Sequence, residues 1–177
     1  MVNWLRAKYI EYEENLPFSV ITGINSEGVC KVFCQPKSIE ELKQVILYGL
    51  DNNVLFDVVG ELSDTYLLKT YSPQLLISTV KVRDFEINND TAICACGCSL
   101  TKFAKWCVDQ GISGYEGFVG IPGTVGAAAI NNSGAFQSSM ANVVKSVTII
   151  TGGNAICTLF NANMKYSARE SVLKRKE

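Results

Sequence analysis

The stretch from Gly111 to Gln137, GISGYEGFVGIPGTVGAAAINNSGAFQ, constrains this chain more than any other. Seven of the protein's 14 glycines fall in it, and six of those recur at every third residue from Gly111 to Gly126. A backbone so poor in side chains can take positive φ and can lie directly against a ligand or a neighbouring segment. In Ile121-Pro122-Gly123-Thr124-Val125-Gly126, proline pins one turn and Gly123 frees the next residue. Ala127-Ala128-Ala129 then suits a closely packed helical turn. The triplet period is too short and too poor in proline for a collagen-like helix. Two readings stay open: a buried structural loop, or backbone shaped to touch a ligand.

The 177 residues suffice for one ordinary domain or two small lobes. Sixteen basic residues against 17 acidic ones leave a net charge of −1, with no basic block to suggest nucleic acid or an acidic lipid surface. Histidine is absent, which removes serine–histidine and cysteine–histidine nucleophile pairs, histidine metal ligands and histidine as a general base. Any chemistry must use carboxylates, serine, tyrosine, lysine, arginine or a bound cofactor. Seven cysteines without a spaced framework read as reduced thiols. The N-terminal MVNWLRAKYIEYEENLPF lacks the apolar core of a signal peptide, and no segment has membrane-spanning length, so a cytoplasmic location is expected.

Along the chain, the first sixteen residues read as a helix or helical arm, and Phe18 to Gln35 as β-like, with Val29–Cys34 the best strand. Ser38-Ile39-Glu40-Glu41 spells a capping box opening an amphipathic helix to Tyr48, whose apolar face carries Ile39, Leu42, Val45, Ile46 and Leu50. Val54 to Val59 is a mostly apolar strand, completing a βαβ unit. Gly60-Glu61-Leu62-Ser63-Asp64-Thr65 follows, a turn that suits a phosphate or, equally, the start of the next element. From Leu75 the pattern reads as antiparallel: a strand to Val80, a hairpin about Asn89-Asp90, and a second hairpin about Gly152-Gly153-Asn154. Between them Ser99 caps a helix bearing Leu100, Phe103, Ala104 and Cys107, which Gly111 ends. A lobe boundary is expected near Thr65 to Ser72, giving lobes 1–68 and 69–177. The two glycine-bearing loops would then face a ligand from different lobes.

Cys94, Cys96 and Cys98 alternate and would share one face of a strand, but lack the C-x-x-C pairs of zinc sites, so buried thiols and no metal are expected. Asp84, Glu86 and Asp90 read as solvent-facing. Glu116, inside the glycine-rich stretch, needs a basic partner or water. Arg169 offers planar donors to an anion or to a surface carboxylate. The G-x-G-x-x-G of a dinucleotide fold is missing.

Gly114-Tyr115-Glu116-Gly117, Ile121-Pro122-Gly123-Thr124-Val125-Gly126 and Asn132-Ser133-Gly134-Ala135-Phe136 together resemble the signature of the UDP-N-acetylenolpyruvoylglucosamine reductase (UDP-N-acetylmuramate dehydrogenase) family, flavoproteins of peptidoglycan precursor synthesis and cell-wall biogenesis. Val59-Gly60-Glu61-Leu62-Ser63-Asp64 occupies the place of that family's G-x-G-S-N flavin loop, and Arg169-Glu170-Ser171 that of its Y-R-D-S segment. The resemblance runs from about Ser19 to Lys174. It implies an α+β, two-lobed FAD-binding fold of the vanillyl-alcohol-oxidase (PCMH) type: a small βαβ lobe, and a lobe with an antiparallel sheet and helices. It further implies non-covalent FAD, NADPH as reductant and a UDP-sugar carrying an enolpyruvyl group. Flavin contacts then fall on Val59, Gly60, Glu61, Leu62, Ser63 and Asp64, and on Ile121, Pro122, Gly123, Thr124, Gly126, Ala127, Asn131 and Gly134. Tyr166 and Arg169 fall at the substrate, with Arg169 the candidate catalytic residue.

Three departures from the family accompany the resemblance. Its substrate domain, with a proton-donating serine and an assisting carboxylate, has no counterpart here, which implies a partner chain or self-association over that face. Leu62 replaces the flavin loop's second glycine, costing about 1–2 kcal/mol if φ is positive, and Asp64 replaces its asparagine. Ala168 stands where a tyrosine is expected. A non-catalytic flavin- or nucleotide-binding regulatory subunit on the same fold is the alternative.

Overall fold

The computed structural model describes residues 1–88, 91–151 and 155–174. The chain divides into two compact units, Met1–Gly97 and Cys98–Glu177. In the first, helix α1 (Val2–Ala7) leads to strand β1 (Tyr12–Pro17), the helical turn α2 (Phe18–Ile21), β2 (Val29–Cys34), helix α3 (Ile39–Asp51), β3 (Phe56–Val59) and β4 (Leu75–Ser78). These strands form one sheet in the order β1-β2-β4-β3. β1 runs antiparallel to β2, with Tyr12 opposite Cys34, whereas β2 and β3 both run parallel to β4. β2-α3-β3 is therefore the expected βαβ crossover, with β4 slotted between its strands.

Two expectations are corrected here. The chain from residue 12 to residue 17 is a strand, because Glu13 and Glu14 sit on an edge strand against β2 and keep their side chains exposed. β4 is parallel and central to the first sheet, not the opening of an antiparallel lobe. Leu75, Leu76 and Ile77 have no exposed surface, and an unbroken apolar run is what a strand covered on both faces requires. The unit accordingly reaches past residue 68 to Gly97, taking in a hairpin of β5 (Phe85–Asn88) and β6 (Thr91–Cys94). Gly97 closes it: a Cβ there would lie 1.7 Å from the Thr79 carbonyl oxygen.

α3 starts as its sequence demands. Ser38 Oγ accepts from the Glu41 amide at 3.1 Å, while the Glu41 carboxylate accepts from the Lys37 amide at 2.8 Å, one residue earlier than in a capping box. Its buried face is Leu42, Val45 and Gly49; Ile39 and Leu50, expected on that face, are exposed.

In the second unit, α4 (Leu100–Asp109) ends in a Schellman motif: the Gly111 amide donates to Val108, the Ile112 amide donates to Cys107, and Gly111 takes φ +75°. The chain continues through a 3-10 turn (Glu116–Phe118), α5 (Val125–Asn131), α6 (Met140–Val143), the antiparallel pair β7 (Ser146–Ile150) and β8 (Ile156–Phe160), and α7 (Asn161–Met164). Leu100, Ala104, Phe118, Ala128, Ala129 and Met140 form its core. The turns at Asn89-Asp90 and Gly152-Gly153-Asn154 lie outside the described residues, although the strands flanking each are paired.

Candidate functional site

The turn after β3 is held from two sides. Thr79 at the end of β4 donates its amide to Val59 at 2.9 Å, and Ser78 Oγ donates to the Gly60 carbonyl. From the other side the Gly23 amide donates to the Leu62 carbonyl, and a Cβ on Gly23 would meet the Ser63 carbonyl oxygen at 2.5 Å. Leu62 takes φ +56°, the left-handed conformation that favours glycine. Its side chain turns inward and packs with Phe18, Cys30, Phe33, Leu67 and Leu76. Burying that leucine contributes about 1.5–3 kcal/mol, which offsets the ~1–2 kcal/mol cost of the dihedral. Leucine therefore replaces glycine here without filling the space in front of the turn.

A cavity of about 250 Å³ opens at the carboxyl ends of the parallel strands, lined by Gly60, Glu61 and Leu62, by Ser78 and Val80, and by Phe33, Gln35 and Arg83. Ligands in open α/β sheets gather at that edge. Neither the Ser63 nor the Asp64 amide donates to another described residue, so two main-chain donors stay open in the turn that follows the cavity-lining Gly60, Glu61 and Leu62. Successive free amides around a left-handed residue are the chemistry of an anion-binding nest. These residues fit a diphosphate, with the exposed Glu61 and Asp64 carboxylates opposing it and Arg83 in the cavity wall as a compensating cation. Ser78 and Arg83 were not singled out from the sequence; the signal for Ser78 is a polar Ser-Thr pair ending an apolar strand.

In the second unit the glycine-rich stretch is clamped onto the start of α4. The Leu100 amide donates to Gly123, the Val125 amide donates to Cys98, and Thr101 Oγ1 donates to Ile121 at 2.7 Å. Thr124 is buried and caps α5 by accepting from the Ala127 amide. Gly120 and Gly123 take φ +93° and +106°, so those two positions need glycine on backbone grounds. Pro122 and Gly120 are exposed and Ile121 half-buried, which leaves that backbone open to a ligand. Gly134 and Asn131 have structural work within the unit. A Cβ on Gly134 would lie 2.0 Å from the Ser138 carbonyl oxygen, and Asn131 Nδ2 donates to Ala127. Asn132, part of the same motif, ties the Ser167 carbonyl and the Ala141 amide together.

Arg169 is exposed, with Nη2 3.5 Å from the Gly134 carbonyl oxygen, and pairs with no carboxylate among the described residues. The Tyr166 hydroxyl is buried without a partner, and burial raises its pKa. Ser171 is buried and donates to Ile130, a structural role. Glu116, which needs a basic partner or water, is exposed to water and accepts from the Gly114 amide at 2.8 Å. The alternating cysteines do not share a strand face: β6 ends at Cys94, and Cys96 and Cys98 follow in a turn. Among the described residues no group of three histidine, cysteine or acidic side chains is placed to hold a metal. Burial pushes the Cys34 thiol up to about 12, and Cys30 and Cys107 upward as well, so none of these three is a thiolate near neutrality.

A parallel-edged α+β unit with open amides at the strand ends, joined to a unit built on a glycine-rich segment, is the arrangement of an FAD-dependent oxidoreductase fold. A solved solvent-stable cholesterol oxidase shares that fold with a TM-score of 0.69 at 14% identity, over 86% of this chain and 34% of that one. The UDP-N-acetylenolpyruvylglucosamine reductase of Thermus caldophilus matches with a TM-score of 0.72 at 20% identity, over 92% of this chain and 57% of that one. A family model described as an FAD binding domain matches residues 30–159, and the chain belongs to that family. The UDP-N-acetylenolpyruvoylglucosamine reductase of Anaplasma marginale is 34% identical over 164 residues, covering 92% of this chain and 54% of that protein. That of Lactobacillus acidophilus is 25% identical over 169 residues, covering 96% and 57%. The chain thus spans a little over half the length of the curated relatives it matches, and the resemblance read from the motifs is borne out over the FAD-binding part. Among the described residues no helix is long and apolar enough to cross a membrane.

Proposed function

We propose that this chain binds FAD non-covalently and serves as the flavin-binding part of an NADPH-dependent reductase acting on a UDP-sugar that carries an enolpyruvyl group. The observation that carries the reading is the turn after β3, where Leu62 is left-handed with its side chain withdrawn into the core. The Ser63 and Asp64 amides donate to the cofactor diphosphate, and Val59, Gly60, Glu61 and Leu62 shape the wall beside it. In the second unit, Ile121, Pro122, Gly123, Thr124, Gly126 and Ala127 offer backbone to a flavin cofactor, and Asn131 and Gly134 hold that segment's support. When bound, FAD supplies hydride transfer, which accords with a chain that has no histidine. Arg169 orients the carboxylate of the substrate through its planar donors; the Tyr166 hydroxyl is closed off from solvent and does not reach a ligand in this conformation. A proton donor for the product comes from another polypeptide or a further domain.

The test is an absorbance spectrum of the purified protein with added FAD, then with NADPH, then with UDP-N-acetylglucosamine enolpyruvate. A flavin band that bleaches with NADPH and recovers with the nucleotide sugar supports the full reading. Flavin binding without bleaching leaves a non-catalytic flavin-binding subunit. No retained flavin at all overturns the proposal.

A further inference from the structure

Arg169 sits in a turn that its own side chain makes costly. Ser167 and Glu170 exchange both backbone hydrogen bonds, at 3.1 and 3.2 Å, which closes a two-residue loop of Ala168 and Arg169. Arg169 takes φ +58° while Ala168 does not enter the positive region, the pattern of a type II turn with arginine where glycine belongs. Three bonds hold the loop in place. Asn132 Nδ2 donates to Ser167 at 2.8 Å, Ser171 Oγ donates to Ile130 at 2.7 Å, and Lys174 Nζ donates to the Arg169 carbonyl at 2.9 Å. The last acts on the strained residue itself. It ties the Arg169 carbonyl while the guanidinium extends to within 3.5 Å of the Gly134 carbonyl oxygen. Neither Arg169 nor Lys174 pairs with a carboxylate among the described residues, so both charges remain for an anion. The strain at this exposed turn, which glycine would relieve, persists because these bonds hold the turn in place.

We propose that Lys174 is a positioning residue. By gripping the Arg169 carbonyl it keeps that residue in the left-handed conformation which aims the guanidinium at a carboxylate-bearing ligand. The proposal rests on Arg169 meeting the substrate, as set out above, and goes on to name the side chain that holds it there and the stability given up in doing so.

A double-mutant cycle on the full chain tests the clamp without any ligand. Arg169→Gly removes the dihedral cost, less glycine's own chain entropy, and raises the folding equilibrium constant about 2- to 10-fold. Lys174→Met lowers that constant by roughly 2- to 5-fold in the parent chain, the low end for a hydrogen bond at an exposed site. In the Arg169→Gly background the Lys174→Met loss is that of the whole hydrogen bond and is larger than in the parent chain, where removing the lysine lets Arg169 relax and recover part of its dihedral cost. Additive effects, or an Arg169→Gly variant no more stable than the parent, overturn the clamp. The second arm measures binding of UDP-N-acetylglucosamine enolpyruvate to the FAD-loaded chain by calorimetry. Arg169→Gly weakens binding at least ~10-fold, the loss of a charge-assisted contact, and Lys174→Met weakens it less, with Lys174→Arg restoring most of it. Coupled stabilities with unchanged affinities overturn instead the reading of Arg169 at the substrate, and with it the positioning role, so the two failures are told apart.

Discussion

Leu62 shows how one residue can depart from a motif and keep its geometry. Two terms oppose each other at this position: a left-handed dihedral that disfavours any β-carbon, and a buried isobutyl group in a core of Phe18, Phe33 and Leu76. The balance predicts an inverted series. Leu62→Ala keeps the dihedral cost and loses the burial, destabilising by about 2–4 kcal/mol. Leu62→Gly loses slightly more surface but regains ~1 kcal/mol from the backbone, so it is the milder substitution, against the usual order of the two residues. Urea denaturation of the three proteins measures this; glycine proving the worse would mean that the turn relaxes out of the left-handed region. Gly134 teaches the complementary lesson. It reads from the motif as flavin backbone, yet the Ser138–Ser139 chain already occupies the space its β-carbon would need.

Among the elements, β1 depends on ties outside its ladder. Glu11, just before it, bonds with Lys81 and lies 3.2 Å from Lys37, so residues following β2 and β4 converge on one carboxylate. The Lys81 hydrogen bond first, then that of Lys37, lowers the Glu11 pKa below the ordinary carboxylate range. A folded-state pKa below the unfolded one means that the stability is fully present above about pH 4.3, the unfolded value, and fades as pH falls through the folded value. Glu11 is 40% exposed, so the effect at neutral pH is small, under about 1 kcal/mol. Glu11→Gln is therefore expected to lower stability slightly at pH 7 and not at pH 2.5, read from denaturation midpoints at each pH. An equal loss at both would assign the effect to packing. The legibility of elements followed the same division between local and distant partners. β2 and α3 were readable because alternation and a serine cap are local signals, whereas β1 was not, since its two glutamates reveal a strand only once β2 supplies the ladder.

For the molecule as a whole, FAD binding and stability are linked. A ligand that binds only the folded chain stabilises it by about 2.7 kcal/mol at a hundredfold excess over its dissociation constant, so added FAD raises the thermal midpoint. Asp64→Asn removes the carboxylate beside the open Ser63 and Asp64 amides and is expected to tighten FAD several-fold, enlarging the shift at equal FAD. A thermal scan with and without FAD for both proteins checks it; an unchanged or smaller shift in Asp64→Asn would remove the diphosphate from this turn. A boundary near residue 68 follows from a break in local pattern, whereas the extent of a compact unit is set by long-range pairing. β4 lies between β2 and β3, and Gly97 packs on the exit of that strand, so the first unit extends past residue 68 to residue 97.

The residues alone carried the kind of protein this is. Missing histidine excluded whole classes of chemistry, and glycines at Gly120 and Gly123 with Pro122 marked turns of positive φ, because these are properties of single residues and short spacings. Strand partners, the direction of β4, the inward turn of Leu62 and the grip of Lys174 on Arg169 were beyond such reading. Each joins groups that have no reason to meet until the chain folds, and each is settled by which distant atoms then supply a hydrogen bond or exclude water.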